Sequence, residues 1–220
     1  MPDRELIVVT GYVEIPGHPR SREEYDRFGE QLCSLSEAPV RVLRRPLEDC
    51  WLDEHVRGKR VEHATADNPA KNTLADHTVQ HQKTAWLLEA LETEPSAEVL
   101  VWIDYGIFHQ PGITVKVIDE FLRRVRGCST LAIPGCWPHA RRMFHSPDWR
   151  FCGSSLVAPR AHVHPFHEAV RDVTLERLST TNRVTWEVND WAEVDHRRLV
   201  PIQWYPANHD QTQFTNYADS

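Results

Sequence analysis

The apolar positions of this chain fall into short runs separated by polar turns. Leu6-Ile7-Val8-Val9 is unbroken, which predicts a strand buried on both faces, ending in a turn at Thr10-Gly11-Tyr12. Pro16, Gly17 and Pro19 keep the next stretch a loop. Ser21 and Glu24 form a capping-box signature, so a helix is expected to start there. Tyr25, Phe28, Leu32 and Leu35 continue it at helical spacing. Val40, Val42 and Leu43 mark a second strand, and strand, helix, strand reads as a βαβ opening.

Residues 45–70 are polar and carry no clear period. A long helix is expected over about 72–91, with Val79, Trp86, Leu87, Ala90 and Leu91 on one face. Val99-Leu100-Val101-Trp102-Ile103 is the most strongly apolar strand and runs straight into Asp104. Ile118, Phe121, Leu122 and Val125 mark another helix, and 130–133 a short strand stopped at Pro134-Gly135. Residues 137–150 read as a loop, 151–157 as a strand carrying Gly153, and Phe166, Ala169, Val170 and Val173 as a helix. A short helix over 184–194, a last strand over 199–205 and a polar tail from about 206 complete the pattern. The alternation implies an α/β fold, with a mostly parallel sheet flanked by helices and a ligand site at the carboxyl ends of its strands. No repeat or linker divides it, so a single domain over 1–220 is expected, with the polar tail contributing to the site.

Composition narrows the class. The chain has 220 residues, 40% of them apolar, enough for one medium core. No apolar run is long enough to span a membrane. The first residues lack a signal peptide's basic and apolar regions, so cytoplasmic residence is the default. Five cysteines without a Cys-x-x-Cys spacing argue against a disulfide framework or a structural zinc site, and predict reduced, mostly buried thiols. A net charge of −7 disfavours a broad nucleic-acid surface. Arg123, Arg124, Arg126, Arg141, Arg142 and Arg150 give the middle of the chain a basic bias, read first as a solvated face.

Three places carry candidate chemistry. Asp104 follows five apolar residues, where a buried strand meets a cleft. A carboxylate there is expected to take a cation, the alternative being a turn cap. In Trp186-Glu187-Val188-Asn189-Asp190-Trp191, Glu187 and Asp190 are one helical turn apart and suit a general base or an acceptor-binding pair. The alternative is an amphipathic helix with tryptophans in the core. Asn208-His209-Asp210 lies in the polar tail and offers ligands for Mn²⁺. His77 and His81 have the i, i+4 spacing of zinc ligands but lack the adjacent catalytic Glu, which disfavours a zinc hydrolase.

The ordered segments Val-Leu-Val-Trp-Ile-Asp-Tyr-Gly-Ile (99–107), Phe-Cys-Gly-Ser-Ser-Leu-Val-Ala-Pro-Arg (151–160), Thr-Trp-Glu-Val-Asn-Asp-Trp-Ala (185–192) and Trp-Tyr-Pro-Ala-Asn-His-Asp (204–210) resemble the bacterial HtrL/YibB-type proteins and, more broadly, glycosyltransferases of the GT-A fold. The resemblance implies a nucleotide-sugar donor, a UDP-sugar in the first place, a hydroxyl acceptor and Mn²⁺ or Mg²⁺. Asp104 matches the first Asp of that fold's Asp-x-Asp motif, and Gly106 replaces the second, with Tyr105 between them. The resemblance implies Asp104 and His209 as metal ligands. It places Thr10, Gly11, Tyr12, Lys83, Asp104, Tyr105, Gly106, Gly153, Ser154 and Asn189 at the donor, and Glu187 and Asp190 at the sugar or acceptor as catalytic candidates.

The acceptor is expected to be a glycan or small molecule. A phage-type alternative is a glycosyltransferase acting on a hydroxymethylated base in DNA, motivated by the central arginines with Trp137, Phe144 and Trp149. A second alternative is a non-catalytic nucleotide-sugar-binding protein, motivated by Gly106.

Overall fold

The computed structural model describes residues 5–61, 73–141 and 146–218. The main elements are β1 (Leu6–Tyr12), α1 (Arg22–Cys33), β2 (Val40–Arg44), α2 (Asp53–Val56), β3 (Arg60–Val61), α3 (Leu74–Thr93), β4 (Val99–Ile103), α4 (Val115–Val125), β5 (Leu131–Gly135), β6 (Ser155–Pro159), α5 (Arg160–Thr181), β7 (Arg183–Val184), α6 (Glu187–His196), β8 (Ile202–Pro206) and α7 (Thr212–Thr215). Phe144 and Arg142, part of the DNA-binding alternative, lie outside the described residues.

Six strands form one sheet in the order β2-β1-β4-β6-β5-β8. β1 is parallel to both β2 and β4, and β5 is parallel to β8, while β6 is antiparallel to both of its neighbours. The mostly parallel sheet flanked by helices is therefore present, with one reversed strand at its centre. The βαβ opening is also present, as β1-α1-β2.

The unbroken apolar runs have the role that two-sided burial requires. Along β1 and β4, Ile7, Val9, Leu100 and Trp102 face one core with Trp86 and Leu87 of α3, Phe166 of α5 and Trp191 of α6. Leu6, Val8, Val99, Val101 and Ile103 face a second core with Leu32 of α1, Phe121 and Leu122 of α4 and Phe214 of α7. Successive residues alternate between the two faces, as strand geometry demands. Full burial of each such side chain contributes about 1.5–3 kcal/mol.

Several boundaries differ from the sequence expectation, the last strand for example starting at Ile202 rather than Leu199 and α6 at Glu187 rather than Val184. β1 does not turn at Thr10 but runs to Tyr12, because Thr10 to Tyr12 pair with Val42 to Arg44. β5 continues through Pro134 and Gly135, which pair with Tyr205 and Pro206. The strand expected over 151–157 begins only at Ser155, after Gly153 takes a left-handed turn at φ +77°. α3 starts at Leu74, where Thr73 and Asp76 form a reciprocal capping box. The unassigned polar stretch contains α2 and β3, elements too short to impose a period. β3 pairs with β7 as a separate two-stranded sheet.

Candidate active site

Because β2, β1, β4, β5 and β8 point the same way and β6 opposes them, one edge of the sheet gathers five strand ends and one strand start. Ile103 pairs with Ser155, so the exit of β4 and the entry of β6 lie side by side. A cavity of about 440 Å³ opens at this edge, within the size range of ligand pockets. Of the expected site residues, Gly11, Tyr12, Lys83, Asp104, Tyr105, Gly106, Ser154, Glu187 and His209 line it.

Its floor is a buried ion triad. Lys83, 4% exposed, reaches from α3 to three acceptors. Its ammonium donates to Glu187 Oε1 at 2.8 Å and to the Gly153 carbonyl at 2.9 Å, and stands 3.1 Å from Asp104 Oδ1. An ammonium has three protons, so this one is saturated by the protein. Burial alone would lower its pKa, but Asp104 and Glu187 outweigh that and hold it above the ordinary lysine value. Gly153 is required for this arrangement: a Cβ at its position would lie 2.8 Å from Glu187 Oε1, on a backbone that side chains disfavour.

The two carboxylates differ. Asp104 accepts from the Trp102 indole N–H at 2.7 Å, its Oδ2 reaches Lys83 only at 3.4 Å, and its side chain is 30% exposed. Trp102 in turn stacks on Trp86, with ring centroids 5.6 Å apart. Glu187 is 2% exposed and is the first residue of α6, where the helix dipole favours an anion. Its Oε2 is buried without a hydrogen-bond partner. Two carboxylates against one ammonium leave the floor with an excess negative charge.

The walls are aromatic. Tyr12, Tyr25 and Tyr105 cluster at one end, with Tyr12 5.2 Å from Tyr25 and 5.3 Å from Tyr105 between ring centroids, and His18 5.6 Å from Tyr25. Trp149 and Trp186 line the other part, 6.4 Å apart. Arg20 and Arg22 also line the cavity, and their ion pairs are long: 3.6 Å from Arg20 to Glu24, and 3.6 and 3.8 Å from Arg22 to Glu14 and Asp26. Sequence reasoning missed both arginines and Tyr25. The capping-box helix placed Tyr25, but nothing in the spacing showed which end of the sheet α1 would flank.

Four expected site residues do not face the cavity. Thr10 is fully buried within β1. Gly153 contributes only its carbonyl, to Lys83. Asn189 ties down a loop: its Oδ1 accepts from the Asp148 backbone at 2.6 Å, and its Nδ2 donates to Ser146 O and Thr185 Oγ1. Asp190 is fully buried between α3 and α5, where it binds His81 Nε2 at 3.0 Å, Thr174 Oγ1 at 2.8 Å and Arg177 Nε at 2.7 Å. Burial would raise its pKa, but His81, Arg177 and Thr174 hold the carboxyl below its ordinary value. Both His81 nitrogens are engaged, Nδ1 lying 2.8 Å from the His77 carbonyl. That explains its i, i+4 spacing with His77 without zinc.

His209 stands among sulfurs. Its ligand atom and those of Cys136 and Cys152 all lie within 4.8 Å of one another, the one such group of three among the described residues. Asp104 is not part of it. The His209 ring packs edge-on against Trp149, at 4.4 Å between centroids.

No protein-family model matches the chain, and no curated relative does. Many solved structures resemble the chain, among them two that are similar over most of its length. One is a glycosyltransferase involved in the glycosylation of the major capsid of PBCV-1, with 12% identity and a TM-score of 0.48, covering 93% of this chain and 81% of that one. The other is 4-diphosphocytidyl-2C-methyl-D-erythritol synthase from Anaerococcus prevotii DSM 20548, with 9% identity and a TM-score of 0.39, covering 97% and 94%. At these values neither likeness assigns an activity to this chain.

Proposed function

We propose that this protein is a GT-A-like glycosyltransferase that moves a sugar from a nucleotide-diphosphate donor, a UDP-sugar in the first place, to a hydroxyl of a glycan or small molecule. One observation carries the reading. A buried lysine clamps two carboxylates of unequal freedom on the floor of an aromatic cavity, at the carboxyl edge of a mostly parallel sheet. Two of the four motifs that carry the resemblance to HtrL/YibB-type sequences contain those two carboxylates, Asp104 and Glu187.

Each part of the cavity suits one part of such a donor. The Tyr12, Tyr25 and His18 end offers ring faces to a nucleobase. Arg20 and Arg22, loosely paired at the same end, suit the diphosphate. Trp149 and Trp186 offer flat apolar faces to a sugar beside Glu187.

The divalent ion implied by the resemblance fits Asp104, whose second oxygen is weakly engaged, on a floor with excess negative charge. Asp104 would hold it, with phosphate oxygens of the donor completing a hard oxygen shell. When bound, such an ion offsets the charge that grows on the leaving diphosphate. His209, expected as its second protein ligand, is instead gathered with two cysteines.

In the transfer step, Glu187 Oε2 is the proton acceptor. The acceptor's O–H bond breaks toward it as the oxygen bonds to the anomeric carbon, and the bond from that carbon to the diphosphate oxygen breaks. A base used this way implies inversion. Lys83, with all three protons taken, is a positioning residue: it fixes both carboxylates and leaves Oε2 free.

The DNA-directed alternative draws little support. Arg123 and Arg126 pair with Glu37, Arg124 donates to carbonyls of the C-terminal segment, and Arg150 pairs with Asp195 at 2.8 Å. These arginines brace the fold. The test is a thermal-shift screen of nucleoside diphosphates and their sugars with Mn²⁺, followed by assay of nucleotide release. Stabilisation by one nucleotide class, with release of its diphosphate, is expected. No stabilisation by any of them overturns the reading.

A further inference from the structure

Cys136, Cys152 and His209 take no part in the proposed transfer step, yet the fold brings them together from three strands. Cys136 follows β5, Cys152 precedes the reversed β6, and His209 follows β8, so all three project at the same sheet edge. Backbone hydrogen bonds fix each approach. Cys136 N donates to Trp149 O at 3.0 Å, Cys152 N to Pro134 O at 2.8 Å, and Ala207 N to Gly135 O at 2.9 Å.

The two sulfurs are 3.9 Å apart, and both cysteines are free thiols. A disulfide needs about 2.05 Å. Two thiolates each about 2.3 Å from a tetrahedral zinc stand about 3.8 Å apart, so the observed spacing is that of a tetrahedron's edge. His209 Nε2 is buried without a hydrogen-bond partner. Sulfur and imidazole are the soft and borderline donors that select Zn²⁺ or Cu⁺ over Mn²⁺ or Mg²⁺.

We propose that Cys136, Cys152 and His209 form a three-ligand site for zinc, with its fourth position open to the cavity. Cys152 and His209 both line that cavity, so the fourth position is reached by water or by a bound oxygen ligand. Loading replaces the two thiol protons: two S–H bonds break, two S–Zn bonds form and two protons leave. Two thiolates then balance the dication, leaving a neutral centre suited to a partly buried place. The site does not depend on the proposed transfer, and its readout is metal binding rather than turnover.

The experiment titrates Co²⁺ into reduced, metal-free full-length protein. A near-ultraviolet sulfur-to-cobalt charge-transfer band with intense visible bands is expected at one equivalent, and one equivalent of Zn²⁺ should abolish it. Cys136→Ser and His209→Gln, with the fold checked by circular dichroism, should each weaken Zn²⁺ binding by more than about 100-fold, beyond the effect of a residue that only supports a ligand. Absence of the charge-transfer band in folded wild-type protein overturns the proposal. So does Zn²⁺ affinity unchanged in Cys136→Ser, or recovery of a Cys136–Cys152 disulfide that re-forms in the presence of Zn²⁺. A failed donor screen with an intact cobalt spectrum would remove the transferase reading and leave this site standing.

Discussion

Lys83 Nζ lies 2.8 Å from Glu187 Oε1, with the two side chains 5% and 3% exposed. Removing one partner of so buried a pair leaves an uncompensated charge, which typically costs about 3–5 kcal/mol. Lys83→Met is therefore expected to lower the urea midpoint strongly, and Lys83→Met with Glu187→Gln to recover part of the loss without recovering activity. Because the folded-state pKa of Lys83 is raised, its contribution is fully present below the ordinary lysine value and fades as pH rises through the folded value. A single mutant as stable as wild type would show that the ammonium is not charged in place.

Glu187→Gln separates the chemistry from the clamp. The amide oxygen still accepts from Lys83, but no group then accepts the acceptor's proton. The expected outcome is a fall in kcat of about 10²–10⁴-fold with donor affinity nearly unchanged. NMR of the product should show the anomeric configuration inverted. Retention would remove Glu187 from the role of base.

Asp104→Asn keeps an oxygen for the Trp102 indole but removes the charge at the cavity floor. Since Asp104 is about a third exposed, solvent screening limits its share of stability, and the melting temperature should move little. Mn²⁺-dependent binding of a nucleoside diphosphate, read by calorimetry, is expected to weaken at least about tenfold, the scale of one charge-assisted contact. Equal binding by the mutant would place the ion elsewhere.

The sequence displayed what is local and hid what is assembled. The run at 99–103 announced a strand buried on both sides, and the position of Asp104 at a cleft was legible because burial stops there. The reversal of β6 was not legible, since Ser155–Pro159 is an apolar run with no direction in it. Glu187 and Asp190 looked alike at one helical turn's spacing. Glu187, however, is the first residue of α6 and turns to the cavity, whereas Asp190, one turn deeper, is drawn to Arg177 and His81. The cysteine and histidine cluster left no spacing signature, because its ligands come from the ends of three different strands.

Asp190 gives the last prediction, and it concerns stability rather than chemistry. Its carboxylate joins α3, α5 and α6 through His81, Thr174 and Arg177. Its folded-state pKa is lowered, so its contribution is complete above the ordinary aspartate value of 3.8 and disappears as pH falls from there through the folded value. Urea unfolding in an acid series should show wild-type stability dropping in that range, and Asp190→Asn dropping less because part of the loss is already incurred. At neutral pH, Asp190→Asn is expected to cost about 3–5 kcal/mol, since the buried carboxylate that Arg177 and His81 contact is replaced by a neutral amide. The melting temperature gained on donor binding should survive wherever the mutant is folded, because Asp190 is absent from the cavity lining. Loss of donor binding in a folded Asp190→Asn protein would return this residue to the site.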